Sequence, residues 1–238
     1  MEIVRLHLGR VSNRSRPFDA PVHGFVLKHP SAGVILVDTG VGDPPAEIIR
    51  YWDVVNEQMV AALAEHDLSP ADVKIVVNTH LHWDHCGQNA VFPHAPFYIQ
   101  RPELERARRE ETLTSEWFDF TGARFELVDG EAEVAPGVRV IPTPGHTAGH
   151  QSVIVDAPDG EQLFIGDAAY TKDIFESFED LNVERVVGQA ADPSAWRESL
   201  RRVRDRDPEA VHFCHDTRVV HRHSPPLGGG VRPEAGRG

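Results

Sequence analysis

Residues 79–87, "THLHWDHCG", place four potential metal ligands within six positions: His80, His82, Asp84 and His85. Neutral imidazole and carboxylate are the groups that Zn²⁺ and related divalent cations accept. In an extended segment, side chains two residues apart share a face, so His80 and His82 can reach one ion. Because four donors here, with more expected elsewhere, exceed a single tetrahedral site, the pattern predicts two metal ions. The alternative, solvated or structural histidines, is disfavoured by this crowding beside an apolar strand.

The spacing H-x-H-x-D-H after the strand "KIVV" resembles the metallo-β-lactamase superfamily, whose fold is an αβ/βα sandwich. The resemblance implies three further ligands, which the sequence supplies as His146 in "PTPGHTAGH", Asp167 in "FIGDAAY" and His215 in "FCHD". It implies one metal held by His80, His82 and His146, and another by Asp84, His85 and His215. Asp167 and a hydroxide would bridge the two. Members that reduce oxygen at iron carry glutamate where this chain has His82, so hydrolysis is favoured over redox chemistry.

The stretch "GDAAYTKDIFE", residues 166–176, is similar to the N-acyl-homoserine-lactone lactonases, which have a tyrosine three residues after the bridging aspartate. Here that residue is Tyr170, whose hydroxyl would hydrogen-bond the substrate carbonyl region; the alternative is that it only packs at the loop. The implied reaction is attack of a metal-bridging hydroxide on the lactone carbonyl, with Tyr170 and the first metal stabilising the oxyanion. Asp84 is the candidate for carrying the proton to the leaving ring oxygen.

Other substrates and one function without catalysis remain open. The same metal hydrolase could act on another lactone, an ester or thioester, or a β-lactam. Thioester hydrolases of the superfamily carry an added C-terminal helical portion, whereas only a short segment follows His215. A β-lactamase would normally be exported, and "MEIVRLHLG" has no basic leader. A non-catalytic metal-binding module is the least favoured alternative, because degenerate members usually lose ligands and all seven are present here.

Several residues near these motifs have predicted supporting roles. Asp38 and His150 resemble positions that hydrogen-bond the ligating histidines, although Asp38 in "DTG" could equally cap a turn. Cys86 and Cys214 each neighbour a predicted ligand and are expected to be small buried side chains rather than reactive thiols. His23 is expected on the surface.

Four aromatic residues, Trp83, Trp117, Phe118 and Phe120, are candidates for an acyl-chain pocket. The last three lie in "TSEWFDFTG", a stretch for which core packing is the favoured interpretation, because aromatic side chains dominate cores. Zinc is the default metal, but histidine and aspartate sites also accept iron, cobalt or manganese, so the ligands alone do not identify it.

Short strands and helices alternate along the chain and must position these donors. The expected strands lie in a hairpin at 22–40, in "KIVVNTH" ending at His80, in "EVAPGVRVIPTPGH" ending at His146, in a hairpin at 151–170 and in "AVHFCHD". The expected helices are 57–66, 102–111 and 194–207, the last capped by Ser194 or Asp192. The chain also shows a weak internal repeat, in which a hairpin is followed by a helix and then by a strand that ends in histidine. This repeat indicates two similar halves.

The predicted fold is therefore α/β: an αβ/βα four-layer sandwich of two mixed sheets packed face to face with helices outside. One domain is expected over 1–223, and 224–238, which has no periodic pattern, is expected to be disordered. The net charge of −13 disfavours nucleic acid as a partner. Apolar runs such as Val34–Val37 are far shorter than the roughly 20 residues of a membrane helix. Two cysteines are too few for a disulfide scaffold and favour the cytoplasm. The expected partner is a small lactone, and the chain could be a monomer or a homodimer.

Overall fold

The computed structural model describes residues 1–15 and 18–222, and in that part of the chain two mixed β-sheets pack face to face with helices outside. This confirms the predicted α/β sandwich. The segment 224–238, predicted to be disordered, lies outside the described residues, and a single domain over 1–223 stays a prediction. Among the described helices, none has the length and apolar character needed to cross a membrane.

The first sheet has seven strands in the order β4-β1-β2-β3-β5-β6-β7. Its strands are β1 (Glu2–Asn13), β2 (Asp19–His29), β3 (Gly33–Val37), β4 (Trp52–Asn56), β5 (Val73–Val77), β6 (Pro96–Gln100) and β7 (Arg124–Val128). The second sheet has six strands in the order β13-β12-β11-β10-β9-β8. These are β8 (Ala132–Ala135), β9 (Val138–Pro142), β10 (Gln151–Ala157), β11 (Gly160–Phe164), β12 (Ala210–His212) and β13 (Val219–His221).

Seven α-helices are described between the strands. They are α1 (Ala46–Ile49), α2 (Met59–Ala64), α3 (Trp83–Cys86), α4 (Arg101–Glu110), α5 (Ser115–Phe118), α6 (Lys172–Ser177) and α7 (Pro193–Arg204). Helix α7 is capped by Asp192, whose Oδ1 accepts hydrogen bonds from the backbone N–H groups of Ser194 and Ala195 at 2.9 and 3.0 Å. Of the two predicted caps, Asp192 is therefore the one used.

The alternation of side chains along each strand divides the apolar residues between an inner and two outer layers. In β3, Ile35 and Val37 belong to the cluster between the sheets, whereas Leu36 belongs to a cluster on the outer face that includes Leu63 of α2. On the second sheet, Ile154 faces an outer cluster that includes residues of α6 and α7. Because strand side chains alternate between faces, one strand contributes to both layers.

The predicted internal repeat corresponds to a repeated supersecondary pattern. Strands β2 and β3 form an antiparallel hairpin, and β5 then pairs parallel to β3. Strands β10 and β11 form a second hairpin, and β12 pairs parallel to β11. The segments that carry the predicted donors follow the ends of β5, β9, β11 and β12, and Asp38 follows β3. The Gln151 N–H donates to the Thr79 carbonyl at 2.9 Å, joining the two sheets there.

Candidate metal centre

Three histidine nitrogens from two loops converge on one point. His80 Nε2 lies 3.0 Å from His82 Nδ1, and His146 Nε2 lies 3.1 Å from the first and 2.9 Å from the second. A hydrogen bond between two ring nitrogens needs a proton on one and a lone pair on the other. Three nitrogens at these mutual distances therefore cannot all be paired with one another by hydrogen bonds. Ligands about 2.0–2.1 Å from a tetrahedral zinc are roughly 3.3–3.4 Å apart, close to these spacings. The residues therefore fit a cation.

A second group of donors lies on the other side of Asp167. His85 Nε2 and His215 Nε2 each lie 3.3 Å from Asp167 Oδ1, and His215 Nε2 lies 3.6 Å from Asp84 Oδ2. The other oxygen, Asp167 Oδ2, lies 3.3 Å from His146 Nε2. His85 Nε2 is buried and makes no hydrogen bond to any described residue. Such an orphaned nitrogen is costly unless a cation or water meets it.

Six of the seven predicted ligands thus form two groups that share Asp167, one carboxylate oxygen to each. The seventh, Asp84, lies beside the second group, with Oδ2 3.6 Å from His215 Nε2. Burial and the neighbouring histidines hold the pKa of His80 and His82 well below the ordinary value, so both rings are neutral and able to bind a cation. Burial also lowers the pKa of His85, but Asp167, Asp84 and Asp38 outweigh it and leave the pKa raised. A cation in the second group would therefore displace a proton.

Asp38 and His150 hold ligand-bearing segments in place. Asp38 Oδ1 accepts a hydrogen bond from the Thr79 N–H at 2.7 Å, and its Oδ2 accepts one from His85 Nδ1 at 2.9 Å. Asp38 therefore orients a ligand rather than only capping a turn. His150 was expected to partner a ligating ring, but instead its Nε2 accepts the N–H of Asp167 at 2.9 Å.

Glu103 on α4 ties the two histidine loops together, a role that the sequence did not reveal. Its side chain is fully buried; Oε1 accepts the Leu81 N–H at 3.0 Å and Oε2 accepts the Thr147 hydroxyl at 2.6 Å. Leu81 lies between His80 and His82, and Thr147 follows His146. Arg106 neutralises the buried charge, with Nη2 2.6 Å from Glu103 Oε1.

Arg106 also links Glu103 to Glu111, which lines the cavity over the donor groups. Arg106 Nη1 donates to Glu111 Oε1 at 2.7 Å, and Glu111 Oε1 lies 3.6 Å from His82 Nε2. Residues 102–111 were predicted only as a helix, because "PELERARREE" opens with proline and continues in good helix formers. The burial of Glu103 and Arg106 is set by tertiary packing.

A cavity of about 270 Å³ opens over both donor groups, with an aromatic wall formed by Phe18, Trp52 and Trp83. The ring of Trp52 lies 5.6 Å from that of Phe18 and 5.8 Å from that of Trp83, centroid to centroid. Of the four aromatic candidates, only Trp83 lines this cavity. Phe118 is buried in the core, as the packing interpretation expected.

Tyr170 also lines this cavity and is buried, with its ring 5.5 Å from that of Phe18 in the aromatic wall, centroid to centroid. Its ring centroid is 5.7 Å from that of His146 and 5.4 Å from that of His215. Burial and the charge of Asp167 raise the pKa of Tyr170, so its hydroxyl keeps its proton and can donate. Gly188 has φ of +69°, and a Cβ there would lie 3.0 Å from the Tyr170 hydroxyl oxygen, so glycine leaves the room that this hydroxyl uses.

Both cysteines are buried, as expected, but in different surroundings. Cys86 packs in an apolar cluster that includes Leu81 and Phe118. The Sγ atom of Cys214 lies 2.9 Å from Asp167 Oδ1, inside the second donor group. The expectation that His23 lies on the surface is wrong: it sits inside β2, 4% exposed, and its backbone N–H donates to the Cys214 carbonyl at 2.9 Å.

Comparison with known proteins agrees with this geometry. An N-acyl homoserine lactonase from a Bacillus species is 31% identical over 214 residues, covering 83% of this chain and 82% of that protein. A crystal structure of a Bacillus thuringiensis AiiA mutant with N-decanoyl-L-homoserine at the active site has a TM-score of 0.75 and 26% identity, covering 90% of this chain and 93% of the other.

An N-acyl homoserine lactone hydrolase with N-hexanoyl-L-homoserine bound at its catalytic metal centre superposes with a TM-score of 0.73 and 26% identity, over 90% of this chain and 93% of that one. The family model described as the metallo-beta-lactamase superfamily matches residues 19–215, the span that contains all seven donors. The chain belongs to the metallo-beta-lactamase superfamily.

Proposed function

We propose that this protein is a metal-dependent hydrolase that opens the lactone ring of N-acyl homoserine lactones. The observation that carries the proposal is the convergence of the predicted ligands beneath an aromatic-walled cavity: six lie in two groups that share Asp167, and Asp84 lies beside the second group. Relatives that cover most of the chain are N-acyl homoserine lactonases, and two similar structures hold ring-opened N-acyl homoserine at the active site or metal centre.

We assign His80, His82 and His146 to one cation and Asp84, His85 and His215 to the other, with Asp167 shared. Zinc is the metal we propose, since imidazole nitrogen and carboxylate oxygen are its usual ligands. When bound, two such cations would supply hydroxide near neutral pH and Lewis acidity for the lactone carbonyl. Both cysteines are free and buried, in keeping with the proposed cytoplasmic location.

The side chains of this protein would orient the substrate and move its proton. Tyr170, whose hydroxyl keeps its proton, donates a hydrogen bond to the lactone carbonyl oxygen as negative charge develops there. As the bond between the acyl carbon and the ring oxygen breaks, that oxygen takes up a proton. Asp84 lines the cavity and is the residue that we assign to this transfer. The acyl chain would lie against Phe18, Trp52 and Trp83, whose rings form the apolar wall.

The test is a substrate panel on purified protein of measured metal content. N-acyl homoserine lactones of several chain lengths, other lactones, a thioester and a β-lactam are followed with a pH indicator and by mass spectrometry. We expect N-acyl homoserine lactones to gain one water and release acid at the highest kcat/KM. Protein with two equivalents of metal that opens none of them, yet cleaves another substrate of the panel, would contradict the proposed specificity.

A matched pair of variants links activity to the donor groups. His82→Ala removes a proposed ligand, and His66→Ala removes a histidine that follows α2 and belongs to neither donor group. We expect the first variant to lose metal and activity together and the second to keep both. Equal activity in the two variants would argue against His82 as a ligand.

A further inference from the structure

Cys214 places a sulfur atom inside the second donor group, and neither the lactonase reaction nor the ligand assignment above uses it. The residue follows β12 and directly precedes His215. It is 2% exposed, and its Sγ lies 2.9 Å from Asp167 Oδ1. A buried free cysteine usually behaves as a small apolar side chain, but this one faces a carboxylate.

Two imidazoles converge on the same carboxylate oxygen. His85 Nε2 and His215 Nε2 each lie 3.3 Å from Asp167 Oδ1, and the four donor atoms of His85, Asp167, Cys214 and His215 all lie within 4.8 Å of one another. His85 Nε2 provides an independent sign of a cation, since it is buried and has no hydrogen-bond partner among the described residues. Its other nitrogen is already committed to Asp38.

We propose that the sulfur of Cys214 is a ligand of the cation held by the second donor group, an inference that rests on the proposed function. Cysteine sulfur binds zinc at about 2.3 Å, close to the length of its bonds to nitrogen and oxygen. Without a cation the thiol donates a hydrogen bond to Asp167 Oδ1. On binding, the S–H proton leaves to solvent and a sulfur–metal bond takes its place.

This ligand makes the two cation positions chemically different. The first group, around His80, His82 and His146, offers nitrogen and oxygen only. The second group adds a thiolate, which is softer and favours zinc, cobalt or cadmium over magnesium or manganese. The second position is therefore expected to discriminate more strongly against hard cations than the first.

Cys86 supplies a matched control within the same chain. It is also a free, buried cysteine, and it follows His85 directly. Its side chain packs against apolar residues that include Leu81, Ile99 and Leu104. Replacing Cys86 removes one buried thiol of the same chemistry, while the thiol beside Asp167 stays in place.

The test is the absorption spectrum of the Co²⁺-substituted full-length protein. A thiolate bound to Co²⁺ gives an intense charge-transfer band in the near ultraviolet, whereas the weaker visible bands report cobalt bound by any ligands. We expect the near-ultraviolet band in the wild type and in Cys86→Ala, and its complete loss in Cys214→Ala and Cys214→Ser with the visible bands retained. The serine variant guards against a packing defect in the alanine variant.

Parallel lactonase assays separate this inference from the function on which it rests. Wild-type protein that binds two equivalents of cobalt and opens lactones, yet lacks the near-ultraviolet band, would overturn sulfur ligation alone. Persistence of the band in Cys214→Ser would also overturn it. Wild-type protein that binds no cobalt and opens no lactone would overturn both proposals.

Discussion

Asp38 Oδ2 lies 2.9 Å from Nδ1 of His85, and this contact determines which ring nitrogen faces Asp167. A carboxylate only accepts hydrogen bonds, so Nδ1 keeps its proton and Nε2 is the nitrogen that a cation would bind. Asp38 has φ of +56°, a left-handed backbone that aspartate and asparagine adopt more readily than most residues.

Asp38→Asn is expected to weaken binding of the second cation by about 10–100-fold, the usual effect of losing a residue that orients a metal ligand. The asparagine amide can donate to Nδ1, which favours the tautomer with its proton on Nε2 and blocks the metal. Titration with a chelating competitor measures the affinity. Asp67→Asn is the control, because Asp67 also has a left-handed backbone, with φ of +58°, but is exposed. Equal affinities in both variants would contradict the role of Asp38.

Tyr170→Phe is expected to lower kcat by about 100-fold while the metal content stays unchanged. The variant removes only the hydroxyl, and loss of one donor to a developing oxyanion typically costs about 10²–10³-fold in kcat. Steady-state kinetics with elemental analysis of the same sample measures both. Tyr98→Phe, on β6 and away from the cavity lining, is the control and should keep its rate. An unchanged kcat in Tyr170→Phe would favour the packing role alone.

Glu103→Ala is expected to cost about 3–5 kcal/mol of unfolding free energy, because it leaves the buried charge of Arg106 without its closest partner. Urea unfolding of the metal-loaded protein measures the change. Glu110→Ala is the control on the same helix: Glu110 also pairs with Arg106, but its side chain is 55% exposed. The exposed pair should contribute no more than about 1 kcal/mol. Similar losses in the two variants would argue against Glu103 as the group that ties the loops together.

Trp52→Ala is expected to flatten the dependence of kcat/KM on acyl-chain length. If the chain is buried against the aromatic wall, each added methylene contributes up to about 0.8 kcal/mol, or roughly fourfold in kcat/KM. A series of N-acyl homoserine lactones measures the slope in the wild type and the variant. Trp117→Ala is the control, because Trp117 does not line the cavity. A slope that is the same in all three proteins would indicate that the acyl chain of the substrate does not bind against the aromatic wall.

The metal-binding donors could be predicted because residue type and spacing along the sequence are enough to identify metal ligands. His80, His82, Asp84 and His85 lie close together after an apolar strand, and family resemblance supplied the three distant ligands. Glu103 and Arg106 could not be found in the same way. Their composition is that of an exposed helix, and only the packing of α4 against the two histidine loops buries them.

The aromatic wall was missed for a similar reason. Phe18 and Trp52 come from distant positions with no shared periodicity, and they meet because β1 pairs with both β2 and β4. Strand β1 alternates between buried and exposed residues over Leu6–Leu8 and again over Gly9–Val11, with a break where its pairing to β2 shifts register. Its pairing partners could not be read from that alternation, because registers depend on tertiary contacts.

The donors follow strand ends in both sheets, and this has a consequence for how the protein acquires its ions. Contacts between residues so distant along the chain form slowly, because a long loop must close before they gain any stability. A complete set of ligands therefore exists only after the two sheets have packed together, and a bound pair of cations would link the two sheets at that edge. We therefore expect metal to bind in the last step of folding, and loss of the ions to destabilise this edge of the two sheets first.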